Sequence, residues 1–342
     1  MNDDWISMHI FYAGNSDALL VECVAPLVAQ LRSDGLLGQY FFIRYWLAGP
    51  HVRLRLRPAR AENADEVRRR AEDSVNGFLT RHPALYEPDF PGADEMYRRL
   101  GIAEYGDAWW TERFGADGAM VFDPNNSFRY VPYEPEYRRY GGLAATRLAE
   151  WHFESSSDLV LRLTATANVH IRPVLLGLSL QLSLIMCYAF LETDGAVAWY
   201  LDRSRRFWET SFIEDVESTH AAFERSWKTM SGQLSERVHK LRKTVRIGSS
   251  SLSVVEREWF AHCTELRDRI VELATSGQIL LKLSEDSDLE PAPRPNIALS
   301  MLMTSYIHMT NNRLGVTIFD EVYLSYLLER TLAVPSSEWV TP

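Results

Sequence analysis

Residues 51 to 58 read HVRLRLRP, which puts His51, Arg53, Arg55 and Arg57 at every second position. A strand has a side-chain period of two, so these four share one face while Val52, Leu54 and Leu56 share the other. The apolar face can close a core. The other must place three guanidiniums side by side in a chain of 342 residues whose net charge is −10. With a pI near 5.5, a nucleic-acid footprint spread over the whole surface is excluded, and any anion-binding function is local. A solvated, solubilising face is the plain explanation. The bulky neighbours in QYFFIRYW and HVRLRLR favour a groove bordered by arginines, which hold carboxylates and peptide groups through paired hydrogen bonds.

Around this strand the pattern is α+β. WISMHIFYA reads as an opening strand. A helix then runs from a cap at Asn15 or Ser16 to a stop at Gly35, with Pro26 as an internal blemish. QYFFIRYW and HVRLRLR form a hairpin across AGP, and a helix follows near 63–81. The stretch 83–126, rich in Pro, Gly, Asp and aromatics, reads as a long functional or mobile loop. SFRYVPYEPEYRRYGG reads as extended, ending in a Gly-Gly turn. From Leu143 the chain turns helical, with helices at 143–153, 157–168, 172–191, 214–245, 253–275, 297–314 and 318–332, and loops at 248–253 and 284–295. The expectation is one domain over 1–342, an antiparallel sheet in the N-terminal half (1–142) and a mostly helical C-terminal half (143–342).

Cys23, Cys187 and Cys263 stand far apart with no CxxC pair, which fits a reducing cytoplasm and gives neither a zinc cluster nor a disulfide framework. The start shows no basic region followed by an apolar stretch, so no secretion signal is expected. The apolar run Val174–Leu191 is interrupted by Ser179, Gln181 and Ser183, so it reads as a core helix rather than a membrane span. Dinucleotide, P-loop, nucleophile-elbow and HExxH signatures are absent. Two further polar clusters stand out. YEPEYRRYGG sets Arg138 and Arg139 before paired glycines, either as surface charges on a turn or as guanidiniums delivered to a groove. In ALSMLMTSYIHMTNNRLG, helical spacing puts Ser305, His308 and Asn312 on one face and Tyr306, Thr310 and Arg313 on another. A single helical histidine is usually a packing residue. This many polar groups beside Met and Leu favours a cleft in which Tyr and His donate protons.

Taken together, FFIRYW…GPHVRLRLRP, PEYRRYGG…AEWHFESSSDLVL and SYIHMTNNRLG resemble the C-terminal, glutamate-eliminating domain of lantibiotic dehydratases and its free-standing relatives in thiopeptide biosynthesis. The resemblance runs from Trp5 to about Leu332. It implies an elimination-domain-like α+β fold and one of two activities. An eliminase removes glutamate from glutamylated Ser or Thr to leave dehydroalanine or dehydrobutyrine. A pyridine synthase joins two dehydroalanines of a linear azole-bearing peptide in a formal aza-[4+2] cycloaddition, and loss of water and leader peptide closes the macrocycle. The second is favoured, because a wide aromatic trough over 83–126 suits a rigid substrate.

The resemblance implies a peptide site walled by His51, Arg53 and Arg55 with Arg139, to which the strand and helix patterns add Arg44 and Asn312 as substrate-binding candidates. It implies Tyr306 as the acid, with His308 and Ser300 near it in sequence and Glu104 as a candidate base. A ribosomally made precursor peptide, leader plus modified core, is the expected partner, with other biosynthetic enzymes beside it. No cofactor, metal, nucleic acid or membrane is expected. A non-catalytic leader-binding role, by strand addition to a sheet edge, is the third reading.

Overall fold

The structure is a computed structural model that describes residues 4–115, 118–247, 252–282 and 288–333. The chain forms two compact units. The first comprises residues 1–135 and 153–167, and the second 136–152 and 168–342.

The first unit opens with β1 (Ile6–Phe11). Helix α1 (Ser16–Leu19) follows, capped by the Asn15 side chain accepting from Asp17 N. It runs through a π-helical turn, Leu20–Val24, into α2 (Ala25–Ser33). In the wide turn the amide of Ala25 reaches back five residues to the carbonyl of Leu20, immediately before Pro26, which has no amide hydrogen to give. The helix therefore passes the proline without breaking. It ends at Gly35, whose φ of +67° a glycine adopts at no steric cost.

Strands β2 (Leu37–Tyr45) and β3 (His51–Pro58) form the expected hairpin. With α3 (Ala64–Arg81) and β4 (Ser127–Tyr130), the unit has a four-stranded antiparallel sheet in the order β2-β3-β1-β4. Met8, Ile10, Val52, Leu54, Leu56, Tyr40 and Phe42 fill one sheet face and are buried with Leu27 and Leu31 of α2 and Val67, Val75 and Phe78 of α3. Full burial of each such leucine stabilises by roughly 1.5–3 kcal/mol.

The stretch 83–126 is not one long loop. It holds α4 (Ala93–Tyr105) and α5 (Asp107–Phe114), which close a small core of their own around Tyr97, Trp110 and Met120, with Trp46, Ile102, Trp109 and Phe122 against it. The hinge between the two helices is Gly106, at φ +90°.

The second unit begins with the short helix α6 (Tyr137–Tyr140) and the Gly141–Gly142 turn, both glycines at positive φ. Helix α7 (Leu143–Thr166) contributes residues 143–152 to this unit and 153–166 to the first. Two helices were expected there, broken at the serines. Instead the Ser156 and Ser157 hydroxyls bond back to the Phe153 carbonyl (3.2 and 2.7 Å), so the serines satisfy themselves inside a continuous helix.

Next come α8 (Arg172–Phe190), α9 (Asp194–Phe212), α10 (Val216–Ile247) and α11 (Val254–Thr275). A hairpin of β5 (Leu280–Lys282) and β6 (Leu289–Pro291) precedes α12 (Pro295–Leu314) and α13 (Ile318–Leu332). Helix α9 and the hairpin were not expected. The loop read at 248–253 lies largely outside the described residues, as does the first part of that at 284–295. Helix α8 is long and apolar enough to cross a membrane by length and composition, and more than half of it is buried in the fold.

Candidate functional site

On the sheet of the first unit, the register sets His51 opposite Phe11 and Tyr45, Arg53 opposite His9 and Ile43, and Arg55 opposite Ser7 and Phe41. The cationic face is therefore continued by neighbouring strands as an aromatic and imidazole surface. Each guanidinium lies against a ring. The Arg53 Cζ is 3.5 Å from the Tyr45 centroid, Arg55 lies 4.4 Å from Tyr133 and 5.1 Å from Phe41, and Arg57 is 5.1 Å from Trp5. Stacking engages the flat faces of a guanidinium, whereas its N–H groups donate in the plane.

His51 is buried and not cationic. Its Nδ1 sits 2.8 Å from the Gly49 carbonyl and carries the hydrogen, so Nε2 accepts from Arg53 Nε at 3.1 Å. Burial first, then the neighbouring arginines, push its pKa down to about 3. The same causes push His9, stacked on His51 at 4.9 Å, down to about 2. The electropositive character of the face thus comes from arginine, and His51 orients Arg53. His9 was missed by the sequence reading, although the alternation Ser7, His9, Phe11 in β1 carries the signal. Arg129, opposite His9 on β4 and bonded to Asp123 (3.1 Å), was missed as well.

Arg44, expected beside these arginines, is opposite Val52 and so lies on the other face of the sheet. It pairs there with Asp17 at 2.6 Å in the first turn of α1. Glu104 is exposed near the end of α4 and accepts from Trp46 Nε1 (2.8 Å) and Tyr45 Oη (3.3 Å). It therefore anchors the hairpin's aromatic pair, one of which carries Arg53.

In the second unit the polar residues of α12 separate as their spacing predicts. Tyr306, Thr310 and Arg313 are buried, and Ser305, His308 and Asn312 are half-buried. Tyr306 is 0% exposed, lying 6.2 Å from the Tyr140 ring and 4.9 Å from the His152 ring. Its hydroxyl finds no hydrogen-bond partner among the described residues. Burial raises its pKa far above the usual phenol range, so the hydroxyl stays protonated. A buried hydroxyl in this state is costly and marks a place where a partner is wanted.

Arg139, on α6, donates to Ser305 Oγ at 3.2 Å, so the Tyr-Arg turn and the His-bearing helix do meet within this unit. His308 Nδ1 lies 2.8 Å from Glu321 Oε1 of α13, a residue the sequence reading did not single out. Ser300 bonds back to the Asn296 carbonyl (2.6 Å), one turn up the same helix. Behind Tyr306, His152 Nδ1 is 3.0 Å from His262 Nε2, and burial lowers the pKa of both rings. Among the described residues no group of three or more His, Cys, Asp or Glu is placed to hold a metal ion.

The family model for the C-terminal part of lantibiotic biosynthesis dehydratases matches residues 5–332. The chain belongs to this family. Among solved structures it is similar to a pyridine synthase, TbtD, from thiomuracin biosynthesis. The two are 19% identical with a TM-score of 0.75, over 98% of this chain and 99% of that one. It is also similar to TsrL, at 18% identity and a TM-score of 0.70, covering 99% of both chains. The tRNA-dependent lantibiotic dehydratase MibB from Microbispora sp. 107891 matches at 18% identity and a TM-score of 0.55, over 99% of this chain but 29% of MibB. No curated protein sequence matches significantly. The expected α+β fold, with its N-terminal antiparallel sheet and helical remainder, is the fold of these relatives.

Proposed function

We propose that the protein is a pyridine synthase of thiopeptide biosynthesis. It would join two dehydroalanines of a leader-bearing, azole-containing peptide by a formal aza-[4+2] cycloaddition. The observation that carries this reading is the closer structural match to a pyridine synthase, at a TM-score of 0.75, than to the dehydratase, at 0.55. Such a reaction asks little of the protein beyond holding two distant alkenes together and placing donors at one amide oxygen, so that the amide reacts as its iminol. The ring-backed arginines of the sheet, Arg53 and Arg55, are suited to fixing carbonyls of the substrate. Tyr306 is the assigned proton donor for departure of water, with His308, on another face of the same helix, moving protons elsewhere in the peptide. Ser300 and Asn312 line the same helix, and Arg139 holds the turn that covers Tyr306. Glu104 is assigned to support the hairpin rather than to act as the base. The substrate is a precursor peptide that other enzymes have already modified, met in the cytoplasm.

The same arginines and His308 are what glutamate elimination would use, and the family description favours that second reading. One experiment separates the two. Purified protein is incubated with a linear peptide carrying two dehydroalanines and, separately, with a glutamylated peptide, and masses are recorded. Pyridine formation with release of the leader supports the proposal. An unchanged bis-dehydroalanine peptide beside a deglutamylated product overturns it in favour of elimination. Tight leader binding with neither conversion supports the non-catalytic role.

A further inference from the structure

Helix α13 begins with two adjacent carboxylates that do different work. Asp320 closes the helix's own cap, accepting from Thr317 N (3.1 Å) and Thr317 Oγ1 (2.8 Å), and also pairs with Arg172. Glu321, the next residue, takes no part in the cap. Although 6% exposed, it turns to α12 and meets His308 Nδ1 at 2.8 Å. On another side of the imidazole the Trp208 ring lies 4.8 Å away, tilted by 38°. The ring is thus fixed by a hydrogen bond in its plane and by an aromatic neighbour, yet 16% of the His308 side chain stays accessible. A carboxylate accepts and does not donate, so Nδ1 carries a hydrogen, and in the neutral ring the Nε2 lone pair points away from Glu321.

We propose that Glu321 is a positioning residue that fixes His308 as the Nδ1–H tautomer and presents Nε2 to the substrate. This rests on the reading of His308 as the group that moves protons in the peptide reaction. The step assigned to Nε2 is uptake of one proton from one atom of the reacting peptide and its return to another, with no net change in the ring. Losing the orienting acceptor is expected to lower turnover on the order of 10- to 100-fold, at or below the lower end of what a whole general acid–base group contributes.

The test uses the full-length protein with 15N-labelled histidine, as wild type, Glu321→Gln and Glu321→Leu. Imidazole shifts assigned to His308 through the His308→Ala variant are expected to report Nδ1–H in wild type. Glu321→Gln, which keeps an acceptor oxygen, is expected to keep that tautomer, and Glu321→Leu to lose it. Turnover is then measured on whichever of the two peptides the wild type converts. Glu321→Leu is expected to lower kcat with KM within about threefold, Glu321→Gln to restore part of it, and Glu321→Leu to add nothing in a His308→Ala background. An unchanged tautomer in Glu321→Leu overturns the proposal, as does full kcat in that variant or an additive double mutant. If wild type converts neither peptide, the functional reading falls, and the tautomer result alone then decides whether Glu321 orients His308.

Discussion

The neutral state of His51 can be tested through the pH dependence of folding. His51 is 4% exposed and its pKa is pushed down to about 3, against 6.5 for the free side chain. Between these values the unfolded chain binds a proton that the native chain refuses. Stability from this group is therefore complete above pH 6.5 and is lost as pH falls toward 3. The loss attributable to His51 is about 1.4 kcal/mol at pH 5.5 and about 2.7 kcal/mol at pH 4.5, from linkage at 1.36 kcal/mol per unit. Urea denaturation of wild type and His51→Gln at pH 7.5, 5.5 and 4.5 isolates the contribution, because His9 and the other buried histidines are present in both. The wild type is expected to fall more steeply by those two amounts. Parallel pH profiles, or an NMR titration midpoint of His51 near 6.5, would refute the reasoning and make the face a histidine-plus-arginine cation.

Three further outcomes are expected. Tyr306→Phe removes a buried hydroxyl that lacks a partner, so the variant is expected to gain about 1 kcal/mol in urea denaturation while losing turnover, and a loss of stability would show the hydroxyl to be structurally engaged. Gly101→Ala places a methyl 2.3 Å from the fully buried Trp110 ring. Overpacking at the upper end of about 1–3 kcal/mol, less about 1 kcal/mol gained in helix propensity, leaves a net loss of about 2 kcal/mol, read as a lower Tm and faster proteolysis within 83–126. Arg53→Lys keeps the charge but not the planar stack on Tyr45 or the Nε donor to His51, so precursor-peptide affinity measured by fluorescence anisotropy is expected to drop about tenfold, and an equal affinity would mean that charge alone is read.

Much of the sheet was legible because strand alternation is a local signal. Val52, Leu54 and Leu56 fell inside and the arginines opposite, as the period of two demands. Arg44 was misgrouped because its face depends on pairing register, which no single strand discloses. Helix α9 escaped because its buried stripe mixes apolar residues, such as Val197, Leu201 and Trp208, with charged ones. Arg205 and Glu209 lie in it, 2.7 Å apart, with Glu329 joining from α13, so the usual amphipathic contrast is blurred. The helices within 83–126 were hidden by the glycines, Gly101 and Gly106, that make their close packing feasible. Glu321 could not be found from spacing, since thirteen residues and a turn at Gly315 separate it from His308. Tyr306 was legible as an unusual residue, but its burial was not, because helix periodicity gives a face and not what covers it.

The aromatic backing of Arg53, Arg55 and Arg57 has a consequence for recognition. A guanidinium lying on a ring has shed water from that side during folding, before any peptide arrives. Association at this sheet then strips comparatively little hydration. Binding there is expected to respond weakly to added salt and strongly to whether the incoming group can take the in-plane hydrogen bonds of the ring-backed guanidiniums.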